Sequence, residues 1–273
     1  MINDRGLPLA VVTGGARGIG RAVARDLLAR GYRMILADID DRAASATADA
    51  LGPNAAARRL DVSDTAALGG WADEEERETG DIDVWVNNAG IMPTGRLLDQ
   101  DPELIDRMID INLRSLVHST RVLARRMVDR GAGQIINIAS ATAVKPLAGL
   151  AVYSGTKFGV FGFSAALRRE LKGSGVRISV VLPYLTATPL GAGIRAQRGF
   201  RIVTPEQVSR EVMRALETGR FAHTVPRRLG VLLKIAPLLP VPVGDLVDDL
   251  IDSDRIGLGG DPAARARYLR DLS

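Results

Sequence analysis

The sequence predicts an α/β fold, a single doubly wound parallel sheet with helices on both faces. Three observations carry that expectation. Short apolar runs alternate with helix-like segments at βα spacing through the first 225 residues. The runs are apolar almost throughout rather than at every second position, as in strands buried on both faces. A glycine-rich turn joins the first run to the first helix.

Leu7–Thr13 is the first strand-like run, and helical periodicity follows from Ile19 to Arg30, with Gly31 placed to stop it. Arg33–Asp38 reads as a second buried strand, followed by an alanine-rich helix over Arg42–Leu51. A third strand should end at Leu60–Asp61, with a polar helix over Asp64–Thr79. Val84–Asn88 is the fourth strand, Glu103–Arg130 one long helix, and Gln134–Ala139 the fifth strand. A second long helix is expected over Val152–Lys172, stopped by Gly173, and a sixth strand over Arg177–Leu182. Thr204-Pro205-Glu206-Gln207 has the form of a capped helix start: a hydroxyl at the N-cap, proline at N1 and glutamine at N3.

Composition narrows the chemistry. At 273 residues, 46% hydrophobic and 25% charged, with a mean hydropathy of +0.07, the chain has ample material for one large core. The absence of cysteine excludes disulfides, thiolate metal sites and a cysteine nucleophile. His118 and His223 are the only histidines and lie far apart, so no metal centre is expected. The net charge is +4 and the pI about 9.7, yet 36 basic and 32 acidic residues are interleaved and aromatics make up only 4%. Nucleic-acid binding is therefore not expected, and the small positive excess suits an anionic cofactor or substrate. Met1–Gly6 is polar and leads directly into a strand, so no signal peptide is expected and a cytoplasmic location follows.

Thr13-Gly14-Gly15-Ala16-Arg17-Gly18-Ile19-Gly20 lies between the first strand and helix. Glycines there allow backbone N–H groups to approach a diphosphate at a helix N-terminus, the device of a Rossmann-type site. The spacing is Gly-x-x-x-Gly-x-Gly rather than the commoner Gly-x-Gly-x-x-Gly, so the turn alone is weak evidence. Asp38, at the end of the second strand, stands eighteen residues after Gly20, close to the offset of an acid that binds the adenosine ribose. Its carboxylate would repel a 2′-phosphate and favours NAD. Arg17 pulls toward NADP, which stays open as the second choice.

These residues, with others in order along the chain, resemble the short-chain dehydrogenase/reductase family in its shorter single-domain form. The likeness covers about residues 7–225. Thr13–Gly20 looks like the family's TGxxxGxG, Asp61-Val62 resembles the pair beside the adenine, and Asn87-Asn88-Ala89-Gly90 is similar to the segment after strand four. Asn112, in Ile111-Asn112-Leu113, sits at the family's catalytic asparagine position. Ser140 closes strand five, and Tyr153-Ser154-Gly155-Thr156-Lys157 forms a YxxxK. With four tyrosines and four lysines, a YxxxK arises by chance in roughly one such sequence in seventeen, so its weight comes from its place among the other motifs. One departure stands out. The family usually has Pro-Gly after strand six, whereas this chain has Pro183-Tyr184, a ring pushed toward nicotinamide or substrate. Thr188 still falls where relatives hold the cofactor's amide or diphosphate.

The resemblance implies an oxidoreductase that interconverts a secondary alcohol and its ketone with a nicotinamide cofactor. On a helix, Tyr153 and Lys157 share a face. The lysine ammonium is expected to lower the phenol's pKa so that Tyr153 serves as general acid and base. Ser140 would hold the substrate oxygen, Lys157 the ribose hydroxyls, and Asn112 a proton-relaying water. The implied cofactor contacts are Thr13, Gly14, Arg17, Gly18, Ile19, Gly20, Asp38, Asp61, Val62, Asn88, Ala89, Gly90, Tyr153, Lys157, Pro183 and Thr188. A catalytically silent dinucleotide-binding regulator, or a C=C or imine reductase on the same frame, is the alternative.

Residues 1–228 are read as the dinucleotide-binding and catalytic domain, and residues 229–273 as an apolar extension packed on it as pocket lid or interface. Leu229–Val243 is strongly apolar but holds Lys234, Pro237, Pro240 and Pro242, too short and broken to span a membrane. Peripheral membrane contact is the lesser reading of this stretch. With Met92, Leu147, Leu150, Tyr184 and Leu190 near the expected mouth, the tail points to a hydrophobic alcohol or ketone. Pairing of the two long helices between subunits would give a homodimer or homotetramer.

Overall fold

The computed structural model describes residues 6–270; most of Met1–Gly6, from which no signal peptide is expected, lies outside them. Seven strands form one sheet in the order β3-β2-β1-β4-β5-β6-β7, and every neighbouring pair is parallel. They are β1 (Leu9–Thr13), β2 (Arg33–Asp38), β3 (Ala55–Arg59), β4 (Ile82–Asn87), β5 (Gly133–Ile138), β6 (Val176–Pro183) and β7 (Ala222–Val225). Both faces of the sheet are covered, which explains the unbroken apolar runs. In β1, Ala10 and Val12 join one core cluster while Leu9 and Val11 join the other.

The first cluster is packed by α1 (Gly18–Leu28) and α7 (Pro205–Thr218), through residues such as Val23, Leu27, Val208 and Val212. The second takes Leu68 and Ala72 of α3 (Leu68–Thr79), and Leu123 and Met127 of the helix before β5. Thr204 forms the expected capping box at α7: its hydroxyl accepts from the Gln207 N–H, and the Gln207 side chain accepts from the Thr204 N–H.

Four expectations need correction. The helix expected over Glu103–Arg130 is α4 (Pro102–Ile109) and α5 (Ser115–Asp129) joined by a π-helical segment, Asp110–Arg114. The extra residue of a π turn leaves no trace in apolar spacing. The polar helix begins at Leu68 rather than Asp64, because the Asp64 carboxylate and carbonyl both bind the Ala67 N–H and make a turn there. The third strand stops at Arg59. The seventh strand, four residues on the sheet edge, was not expected; it pairs with β6 and follows α2 (Asp41–Leu51), α6 (Ala151–Glu170) and α7 in chain order.

Past β7 the chain turns into short helices: α8 (Leu229–Ile235), α9 (Val241–Ile251), α10 (Arg255–Leu258) and α11 (Pro262–Arg270). Leu229, Leu233 and Ile256 are buried in the first core cluster, whereas Leu238, Val241 and Leu250 are 79%, 74% and 67% exposed. Among the described residues no helix is long and apolar enough to cross a membrane.

Candidate active site

The strand order reverses between β1 and β4, and their carboxyl ends leave a crevice. Thr13 and Asn88 knit its floor. The Thr13 hydroxyl accepts from the Asn88 and Ala89 N–H groups at 3.0 and 3.1 Å, and the Asn88 amide donates to the Thr13 and Gly14 carbonyls at 2.9 and 3.0 Å. A Cβ at Gly20 would lie 2.1 Å from the Gly14 carbonyl oxygen, so only glycine lets helix and turn close this tightly. No side chain caps the start of α1. Its first N–H groups are thus left for an anion, and the bare backbone cradle fits a dinucleotide diphosphate.

Asp38 closes β2 beside this turn. One carboxylate oxygen accepts from the Ala16 N–H and the other from the Asp40 N–H, both at 3.0 Å. Arg17 is ion-paired with Asp40, which also caps α2 by accepting from the Ala43 N–H. Asp61 accepts from the N–H and hydroxyl of Ser63, and Val62 packs against the second core cluster.

A cavity of about 610 Å³ extends from this crevice. Gly14, Arg17, Gly18, Ile19, Asn88, Ala89, Gly90, Ser140, Tyr153, Lys157, Pro183 and Thr188 all line it. Thr13, Gly20, Asp38, Asp61, Val62 and Asn112 are not among its walls. Asn112 lies in the π-helical segment, only 1% exposed, and its amide bonds both the N–H and the carbonyl of Ile91 at 2.8 Å. Its side chain therefore clamps the segment after β4 to the helix.

Tyr153 and Lys157 lie one turn apart on α6 and are both buried. The lysine ammonium stands 5.6 Å from the centre of the tyrosine ring and donates to the Ile138 carbonyl at 3.1 Å. Ser140 hydrogen-bonds to the Tyr153 phenol and accepts from the Thr142 N–H at 3.1 Å. The expectation that Lys157 lowers the phenol's pKa does not hold for the protein alone. Burial raises it above the ordinary tyrosine range, only partly offset by the Ser140 hydrogen bond, and Tyr268 raises it further. Burial likewise lowers Lys157 to about 8.

Met92, Leu147, Leu150, Tyr184 and Leu190 line the cavity together with residues of the four short C-terminal helices, among them Leu233, Ile256 and Tyr268. Tyr184 is held in the cavity wall. Its hydroxyl accepts from the Gln197 N–H at 3.1 Å, and its ring packs at a tilt against Phe200 with centroids 5.4 Å apart. From Gln197 a polar relay runs along the roof. The Gln197 amide donates to the Ser253 hydroxyl, which donates to Asp248, each at 2.8 Å, and Asp248 pairs with Lys145 at 2.5 Å. Sequence reasoning missed Lys145, Gln197, Asp248, Arg265 and Tyr268. None lies in a motif, and only their meeting in space marks them.

The family model for short chain dehydrogenase matches residues 8–199. Sex determination protein tasselseed-2 of Zea mays is 38% identical over 192 residues, 67% of this chain and 56% of that protein. The 3-oxoacyl-[acyl-carrier-protein] reductase FabG of Escherichia coli (strain K12) is 35% identical over 182 residues, 67% of this chain and 75% of that protein. Among solved structures, 3-ketoacyl-(acyl-carrier-protein) reductase from Brucella melitensis complexed with NADH superposes with a TM-score of 0.73 at 26% identity, covering 80% of this chain and 96% of that one. The chain thus spans little more than half the length of tasselseed-2 and three quarters of FabG.

Proposed function

The chain belongs to the short chain dehydrogenase family, and we propose that it is a nicotinamide-dependent dehydrogenase/reductase that interconverts a hydrophobic secondary alcohol and its ketone, with Tyr153 as general acid and base. The observation that carries this reading is the meeting of Ser140, Tyr153 and Lys157 on the wall of a cavity whose far end is lined by leucines and isoleucines. The name of FabG, a reductase of 3-oxoacyl groups, supports C=O chemistry over C=C or imine reduction.

The nicotinamide, when bound, supplies or accepts the hydride. The protein's own groups then handle the oxygen. In the reducing direction the Tyr153 phenol, kept neutral by burial, gives its proton to the forming alkoxide. The Ser140 hydroxyl, whose oxygen accepts from the Thr142 N–H, turns its hydrogen from the Tyr153 phenol to the same substrate oxygen as charge builds there. Lys157, bonded to the Ile138 carbonyl, would hold the ribose hydroxyls, and Asn112 keeps the segment of Gly90 and Ile91 in place through its amide.

For the cofactor, Asp38 beside the turn favours NAD. The pairing of Arg17 with Asp40 occupies the cation that would otherwise greet a 2′-phosphate. Residues 1–228 carry cofactor and catalytic groups in this reading, and residues 229–273 close the substrate end. Exposed Ile109 on α4 and Phe158 on α6 support pairing of those helices between copies, and sedimentation of only a 29.1 kDa species would refute it.

The test of function is oxidation of NADH with a panel of hydrophobic ketones. Tyr153→Phe is expected to lose roughly 10²- to 10⁴-fold in kcat while binding NADH normally. A variant that keeps most of its rate removes Tyr153 from the mechanism.

A further inference from the structure

Most polar side chains lining the cavity are spoken for. Tyr184 and Gln197 bond each other, Lys145 pairs with Asp248, and Lys157 reaches the Ile138 carbonyl. Tyr268 is different. It reaches the cavity from α11, far beyond residue 199, where the family match ends. Its phenolic oxygen accepts from the Met92 N–H at 2.9 Å, and among the described residues nothing takes its hydroxyl hydrogen. The half-buried hydroxyl thus keeps a hydrogen to offer, and an acceptor on a ligand in the cavity would take it.

The ring is held firmly enough to aim that hydrogen. The Arg265 guanidinium packs 4.5 Å from its centroid and donates to the carbonyls of Met92, Leu190 and Ala192, bridging two loops that border the cavity. The Asp261 N–H adds a bond to the Gly193 carbonyl at 2.7 Å. Burial raises the Tyr268 pKa, so the group is a neutral donor at physiological pH. Tyr153 lines the same cavity, and its pKa is raised by Tyr268, so the two phenols share one region of it.

We propose that Tyr268 is a substrate-binding residue whose hydroxyl donates to a second oxygen of the ligand whose ketone faces Ser140 and Tyr153. The substrate class is then a hydrophobic ketone with a further acceptor oxygen (carbonyl, ester or ether), rather than a plain hydrocarbon ketone. This rests on the ketone-reducing reading above. A tyrosine here in place of phenylalanine gives selectivity, because a site built to hydrogen-bond discriminates against ligands that lack the partner.

The test is calorimetric titration of the full chain with nonan-2-one and with methyl 3-oxodecanoate, which share one alkyl arm and differ in the added ester. NAD is present, so no ketone is reduced during the measurement. Wild type is expected to bind the keto ester roughly tenfold more tightly. Tyr268→Phe should erase that preference while leaving the nonan-2-one Kd unchanged. Arg265→Lys, which loosens the mount but keeps the hydroxyl, should weaken both ligands alike. Equal affinity of wild type for the two, or binding of neither, overturns the proposal even where the Phe variant does not fold. So does a Tyr268→Phe variant that weakens both ligands equally, since that marks a structural role. Tyr153→Phe separates the two readings, because it should abolish turnover and leave the binding preference intact.

Discussion

The two ends of the cavity are built by different means. The cofactor end is backbone: glycines, strand ends and an uncapped helix, locked by Thr13 and Asn88 to the most deeply buried strands of the sheet. The substrate end is side chain: leucines, Tyr184 and Tyr268 on loops and short helices, tied by a polar relay and flanked by exposed apolar residues. A wall of main chain serves one invariant ligand fragment and tolerates no added atom. A wall of side chains can be rewritten residue by residue, and substrate choice belongs there.

The sharpest way to break this contrast is at Gly20. Gly20→Ala drives a methyl into the Gly14 carbonyl and is expected to cost about 3 kcal/mol of stability and most NADH affinity, read by thermal melts and cofactor titration. Retained NADH binding would show the cradle to be more forgiving than its geometry implies. Asp38→Asn comes next, since it keeps the acceptor for the Ala16 N–H and removes the charge. The NADPH-to-NADH affinity ratio should rise about tenfold, and wild type already preferring NADPH would contradict the NAD assignment. A comparable effect belongs to pH. Lys157, lowered to about 8, is cationic below that value and neutral above it. The reductive rate should therefore hold toward neutrality and fall about tenfold for each unit above pH 8, as stopped-flow profiles would reveal. Lys145→Met is the mildest change. It unpairs Asp248 at the roof and should raise the KM for an apolar ketone about threefold with no change in NADH affinity; an altered NADH Kd would show that the two ends are coupled.

The same division governs how much can be read from sequence. The glycine turn, Asp38, Ser140 and the Tyr153–Lys157 pair are legible because each depends on local spacing within one strand-turn-helix or one helical turn. The π-helical segment at Asp110–Arg114 is not, since one extra residue in a turn leaves the apolar pattern intact. The four residues of β7 are too few to show a period. Tyr268 stands outside every motif, and only the packing of α11 against the loops at Met92 and Leu190 brings it to Tyr153's cavity. The error over Tyr153's acidity has the same root. Spacing gives the lysine's position, whereas the loss of solvent around both groups comes from the whole fold.

The relay from Gln197 through Ser253 to Asp248 and Lys145 has one more consequence. Its terminal ion pair is partly open to water, so its strength answers to ionic strength, while the packed apolar strands beneath do not. Admission of a greasy guest and the melting temperature of the sheet are therefore governed by separate forces, and added salt can ease entry without softening the scaffold.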